Sequence, residues 1–157
     1  KTLLKKTSIN AEKVIEAGGV IISEFPPNKK EDTFSVVKSC RLQAGVSDGL
    51  FLIQSSVDGG SKFTLKSFCE TSRPIAVINP LKDDENTPSY SANIAIRENR
   101  IIGLSKITDL KTEKINTKNI TVINSKTDYD AFDNLVDQKD SNIQTTKTLF
   151  DWIKNGL

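Results

Sequence analysis

A chain of 157 residues fits one domain and can bury a real core, and 22 basic against 20 acidic residues leave a net charge of +2, too small to demand nucleic acid by itself. The sequence has no histidine, which excludes His-based acid–base chemistry, Ser-His and Cys-His nucleophile pairs and most zinc sites. Charge is unevenly spread: residues 1–80 hold 11 basic and 8 acidic side chains, residues 81–157 hold 11 and 12, so a polyanion surface is expected in the first half.

In chain order, Lys1–Lys6 is a basic lead and Asn10 is expected to cap a short helix through Ala17, with Ala11, Val14 and Ile15 inward and Gly18 and Gly19 ending it. Val20, Ile21 and Ile22 read as a buried strand that ends at Ser23 and Glu24, before Pro26 and Pro27. Glu24 is then either an acid facing a crevice at the carboxyl edge of a sheet or a solvated loop acid. A charged loop, residues 28–32, leads to a helix over 34–44. On it Val36, Val37, Cys40 and Ala44 recur at helical spacing while Lys38 and Arg41 form a basic edge. Arg41 either offsets the helix dipole or contacts a ligand.

The run Gly49–Gln54, GLFLIQ, lacks alternation, as a strand covered on both faces does. It opens into Gly59 and Gly60, where a tight turn and close backbone approach are possible, and Ser61 is expected to cap the next helix. The amides of such a helix start favour an anion, phosphate above all, and Lys62 and Lys66 add charge nearby; a ligand-free strand-to-helix turn has the same signature. Leu65, Phe68 and Cys69 mark that helix's inner face. Pro74–Asn79, PIAVIN, is another buried strand, and residues 80–90 form a polar, acidic loop, either a lid or disordered. A short helix is expected over 91–98, a strand over 100–104 and another over 120–123. Tyr129, Phe132, Leu135 and Val136 make one helix stripe. Ile143, Leu149, Phe150 and Ile153 make a last helix near Gly156, with Trp152 packed or half buried there.

The alternation of helix and strand implies an α/β fold with a mainly parallel sheet and right-handed crossovers. Cys40 and Cys69 both fall at apolar helix positions and read as core thiols in a reducing compartment, with no metal role. No stretch is apolar enough to span a membrane and no signal peptide opens the chain, so a cytoplasmic location is expected. The sequence contains no methionine, so Lys1 is not expected to be a natural start and the chain is expected to be part of something longer.

Four segments in register resemble the DNA-processing protein A family (DprA, also called Smf). Gly18, Gly19, Ser23, Glu24, Pro26 and Pro27 are similar to its GG-x-x-x-SE-x-P segment. Arg41, Ala44, Gly45, Val46 and Ser47 are similar to R-x-x-AGLS, and Gly59, Gly60, Ser61 and Thr64 to its small-residue turn. SANIAIREN, within residues 91–99, resembles a later family segment. The family's RNR tripeptide is reduced here to Ser39, Cys40 and Arg41, and its GSR-type loop is absent, expected before Lys1.

The resemblance implies a Rossmann-like three-layer domain over residues 1–104; residues 105–157 match nothing in the family and are expected, from their own helix and strand pattern, to form an α/β tail packed on the same domain. It also implies binding of single-stranded DNA, loading of a RecA-type recombinase, DNA recombination as the process, a homodimer, and neither catalysis nor a cofactor. The expected contacts are Lys38, Arg41, Gly59, Gly60, Ser61, Lys62, Thr64 and Lys66, directed at the DNA backbone and tolerant of sequence; few aromatics near the site argue against base stacking. Two alternatives stay open. One is a nucleotide-binding sensor using the same turn. The other is an enzyme like the lysine decarboxylase-like nucleotide phosphoribohydrolases, with Glu24 in place of the acid that DGGSKFT lacks after Thr64. A degenerate site on a purely structural scaffold is the simplest reading of all.

Overall fold

The computed structural model of the chain describes residues 5–140 except 27, 28, 31 and 118. The helix expected over 143–153, with Trp152, lies outside the described residues.

Three short strands form a parallel sheet in the order β1 (Leu50–Leu52), β2 (Ile75–Ile78), β3 (Ile120–Ile123). Leu52 pairs with Val77, and Ile78 with Ile123. Side chains alternate across the pleat, so each strand feeds two layers. On one face Leu52, Ile75 and Val77 pack with Ala44, Leu65, Phe68, Ile96 and Leu104, which belong to α2 (Thr33–Val46), α3 (Ser61–Cys69) and α4 (Ser91–Thr108). On the other, Ala76 and Ile123 meet Phe132 of α5 (Lys126–Asp140), with Phe51, Ile78 and Val136 beside them. Helices thus cover both faces, the Rossmann-like arrangement in three layers. That is why IAVI and ITVI are unbroken apolar runs. Full burial of Phe68, Leu65 and Ile75 contributes about 1.5–3 kcal/mol each.

Helices α2 and α3 pack against each other, and each leads into a strand of the same sheet. In such units the helices run back against the strands, so helix starts gather at the carboxyl edge of the sheet, where ligands bind. Helix α2 begins with Asp32, whose carboxylate accepts from the Ser35 amide at 2.6 Å. It ends with carbonyls of Ala44, Gly45 and Ser47 that accept from one nitrogen of Arg73, on the segment entering β2. Terminal carbonyls have no partner within their own helix, so this distant guanidinium completes the end of α2.

Three expectations fail. Helix α1 spans Lys5–Glu16, so Asn10 is interior rather than a cap, and Val14 and Ile15 are 43% and 54% exposed rather than inward. Gly18 and Gly19 do end it: Gly18 has φ +80, and the Gly19 amide reaches back to the Val14 carbonyl at 2.8 Å. Val20, Ile21 and Ile22 form no strand and are 73%, 58% and 58% exposed, because no described strand lies beside them to complete their hydrogen bonds. Residues 101–104 are helical and Arg100 (φ 48, ψ −119) is a non-helical break within α4. Leu104 and Ile107 are buried at helical spacing, and Gly103 lies so close to the Ala95 carbonyl that a side chain would collide with it.

The 80–90 segment is built around two single 3₁₀ turns, Lys82–Asp84 and Pro88–Tyr90. Both cysteines are buried free thiols, and burial, helped by nearby Glu70, pushes Cys69 up to about 12. No described helix is long and apolar enough to cross a membrane.

Candidate functional site

Past Leu52 the chain leaves the sheet and turns at Ser55–Gly60. The Gly59 amide donates to the Ser56 carbonyl at 3.0 Å, and a Cβ on Gly59 would sit 2.8 Å from Ser55 Oγ and 3.0 Å from the Ser56 oxygen. Only glycine fits there without a shift. Around Gly60 the space is open, with nothing within 4 Å of where a Cβ would stand. Gly60, in helical conformation, occupies the cap position without a side-chain hydrogen bond, so Ser61 is the first helical residue and not the cap. The amides of Lys62 and Phe63 are taken by the carbonyls of Gly59 and Gly60, both at 3.2 Å. Among the described residues, nothing accepts from the amides of Gly60 and Ser61. Two N–H groups at a helix start therefore remain for an incoming oxygen. Lys62 and Thr64 are half-buried beside them, and Lys66 is exposed one turn on.

The other expected cations stand on α2. Lys38 is exposed, its ammonium 5.8 Å from the centre of the Phe25 ring. Arg41 is exposed and ion-paired with Glu24. The structure thus brings Glu24 to Arg41 and records no hydrogen bond or ion pair between Glu24 and the Gly59 turn.

Phe25, Lys29, Lys30, Ser35, Val36 and Ser39 line a cavity of about 210 Å³ at the start of α2. Lys29 lies 4.0 Å over the Phe25 ring, donates to Ser35 Oγ at 2.6 Å and stands 3.7 Å from Asp32. The Ser35 amide, then its hydroxyl, hold the Asp32 carboxyl below the usual carboxylate range. Phe34 is 70% exposed and shares a helix stripe with Lys38 and Arg41 at i, i+4 and i+7. Lys30, Lys38, Lys62 and Lys66 form no ion pair among the described residues. Sequence reasoning passed over Phe25, Lys29, Lys30 and Phe34, and the expectation that aromatics near the site are too few for base stacking gives way to an exposed Phe34 on the stripe of Lys38 and Arg41; the signal was available in the two phenylalanines that bracket the charged loop.

It also passed over the polar floor of the carboxyl edge. Asn93, fully buried on the first turn of α4, donates to the carbonyls of Leu52, Ile53 and Ile78 and accepts from the Ser55 amide at 3.0 Å. Arg97 donates to Asn79 at 2.8 Å, and its hydrogen bonds to Glu85 and then Glu98 raise its pKa further. Asn79 in turn donates to Asn124 at 2.8 Å, linking the ends of β2 and β3. No group of His, Cys, Asp and Glu among the described residues is arranged to hold a metal ion.

A sequence model of the family named DNA recombination-mediator protein A matches residues 3–110, more than half of the chain, from α1 through α4. No curated protein and no solved structure matches.

Proposed function

The chain belongs to the DNA recombination-mediator protein A family, and from that premise we propose that it binds single-stranded DNA along the carboxyl edge of its sheet, as a homodimer in the cytoplasm that passes the strand to a RecA-type recombinase, without catalysis. The observation that carries this reading is Phe34, an exposed ring on one stripe with Lys38 and Arg41 beside the cavity lined by Lys29 and Lys30. Single-strand binders combine cations that track the phosphates with rings on which bases stack, and stacking tolerates any sequence. Lys38, Lys62 and Lys66 supply phosphate contacts, the amides of Gly60 and Ser61 take one phosphate oxygen, and Phe34 takes a base. Arg41 contributes less than Lys38, Lys62 and Lys66, which form no ion pair among the described residues, since Glu24 already offsets its charge.

The test is anisotropy binding of a labelled oligonucleotide over a salt series, with mononucleotides as competitors. Affinity should fall steeply with salt, and Lys38→Ala with Lys62→Ala should flatten the slope by about 1.4, at roughly 0.7 per phosphate. An unchanged slope would remove these lysines from the interface.

A nucleotide-binding sensor is the second reading, favoured by one observation: two unclaimed amides beside Lys62 suffice for a single phosphate. Displacement of the oligonucleotide by micromolar mononucleotide would select it. A phosphoribohydrolase would need Glu24 at the turn, whereas its carboxylate is engaged by Arg41.

A further inference from the structure

The Gly59 turn does not hold itself in place. Where β1 and β2 diverge, past the Leu52–Val77 pair, the carbonyls of Ile53 and Ile78 and the amide of Ser55 have no partner across the sheet among the described residues. Buried main-chain groups of this kind must be satisfied from elsewhere. The two N–H groups of Asn93 Nδ2 are shared among the carbonyls of Ile53 at 3.0 Å, Ile78 at 3.1 Å and, at the longer 3.3 Å, Leu52, and Asn93 Oδ1 accepts from the Ser55 amide at 3.0 Å. The same turn of α4 adds two more ties: Ser91 Oγ accepts from the Val57 amide at 3.0 Å, and the Ala92 amide donates to the Ser55 carbonyl at 3.0 Å. Ser55 Oγ then donates to the Ser56 carbonyl, the acceptor of the Gly59 amide. A continuous chain of hydrogen bonds thus runs from Asn93, through Ser55 and Ser56, to the residue before the open amides of Gly60 and Ser61.

We propose that Asn93, seconded by Ser91, is the positioning residue of the Gly59 turn, fixing from beneath the sheet edge the direction in which the Gly60 and Ser61 amides meet a phosphate. The proposal rests on the reading of this turn as a phosphate contact. The side chain is suited to the task because one amide group donates and accepts at once. Neither an aspartate nor a leucine of similar size does both. Asn93 itself touches no ligand, since it is fully buried. A residue that orients neutral amides changes affinity without changing how many cations neutralise phosphate, which separates its role from that of the lysines.

The experiment compares the wild type with Asn93→Ser and the milder Ser91→Ala, neither of which alters charge. Two readouts are taken: hydrogen exchange across residues 53–61 against α5, and oligonucleotide affinity over a salt series. Asn93→Ser should speed exchange in 53–61 while leaving α5 unchanged and weaken binding about tenfold, the order of one charge-assisted hydrogen bond, with the salt slope intact. Ser91→Ala should do the same more mildly, about twofold to threefold. Exchange at 53–61 that does not change in either folded variant overturns the proposal, and so does a loss of affinity accompanied by a flatter slope. Wild-type protein that binds no oligonucleotide refutes the DNA reading instead, and the exchange result then decides alone whether Asn93 holds the turn.

Discussion

The Gly59 turn is held from below by an uncharged, fully buried asparagine, whereas the segment carrying Phe25, Lys29 and Lys30 is held at the surface by Lys29 on Ser35 and by Glu24 on Arg41. Both reach the same edge of the sheet, yet they offer a ligand different things. The turn presents amides whose direction is set before binding and which salt does not screen. The α2 segment presents cations on long side chains, held by exposed ion pairs of the kind that contribute roughly 0–1 kcal/mol and weaken with salt. A strand of nucleic acid needs both: adaptable charge to capture an irregular backbone and fixed donors to seat one phosphate.

The comparison breaks most visibly in stability. Phe68 is fully buried near the far end of α3, in the core from which the turn rises, and Phe68→Ala should cost about 3–5 kcal/mol in denaturant unfolding. Ile21, 58% exposed in the segment that leads to Glu24, should tolerate Ile21→Ala within about 0.5 kcal/mol. A comparable loss at both positions would mean that the first residues pack on the body in solution.

Binding sharpens it next. Phe34→Ala should leave stability nearly unchanged, because the ring is 70% exposed, yet weaken oligonucleotide binding by about 1–3 kcal/mol at an unaltered salt slope. Full affinity in this variant would take base stacking out of the reading.

Which of these features the sequence disclosed follows from how local their causes are. The strands at Leu50, Ile75 and Ile120 were legible because burial on both faces writes itself as unbroken β-branched and apolar runs. ITVI was placed to the residue. Val20–Ile22 has the same composition and is not a strand, since pairing depends on a neighbour that composition does not reveal. The 100–104 segment misled through Ile101 and Ile102; the helical reading needed the spacing of Leu104 and Ile107 and the tight approach at Gly103. At the site, Gly59 was legible as a turn glycine. The four bonds of Asn93 were not, because they join residues 15 to 41 positions apart.

The two adjacent glycines offer a finer test. Gly59→Ala drives a Cβ against Ser55 and Ser56 and should destabilise by about 1–3 kcal/mol. Gly60→Ala meets open space at helical φ and ψ and should stabilise by about 0.4–1 kcal/mol while hindering a phosphate at the Gly60 amide. Thermal melts beside binding isotherms check both. A Gly60→Ala variant that is more stable and binds undiminished would place the phosphate elsewhere.

Acid gives the smallest effect and the clearest distinction between the two modes of holding. Asp32 caps α2 through the Ser35 amide, and Asp128 at the start of α5 accepts from the amides of Asn124 and Ser125 while Ser125 Oγ accepts from its own amide. Both carboxyls are held below their ordinary value of 3.8, first by a backbone amide, Ser35 for Asp32 and Asn124 for Asp128, and next by the hydroxyl of Ser35 or Ser125. A depressed carboxyl stabilises the fold above its unfolded pKa, and the contribution disappears as pH falls from there through the folded value. Denaturant midpoints should therefore drop as the pH is taken below about 4, and Asp32→Asn with Asp128→Asn should remove part of that dependence. Hydrogen exchange in the same acid should loosen the first turn of α2, where Phe34 and the cavity sit, before residues 53–57. The Asn93 ties there carry no charge to titrate, so early loosening of 53–57 would mean that the turn too depends on surface electrostatics.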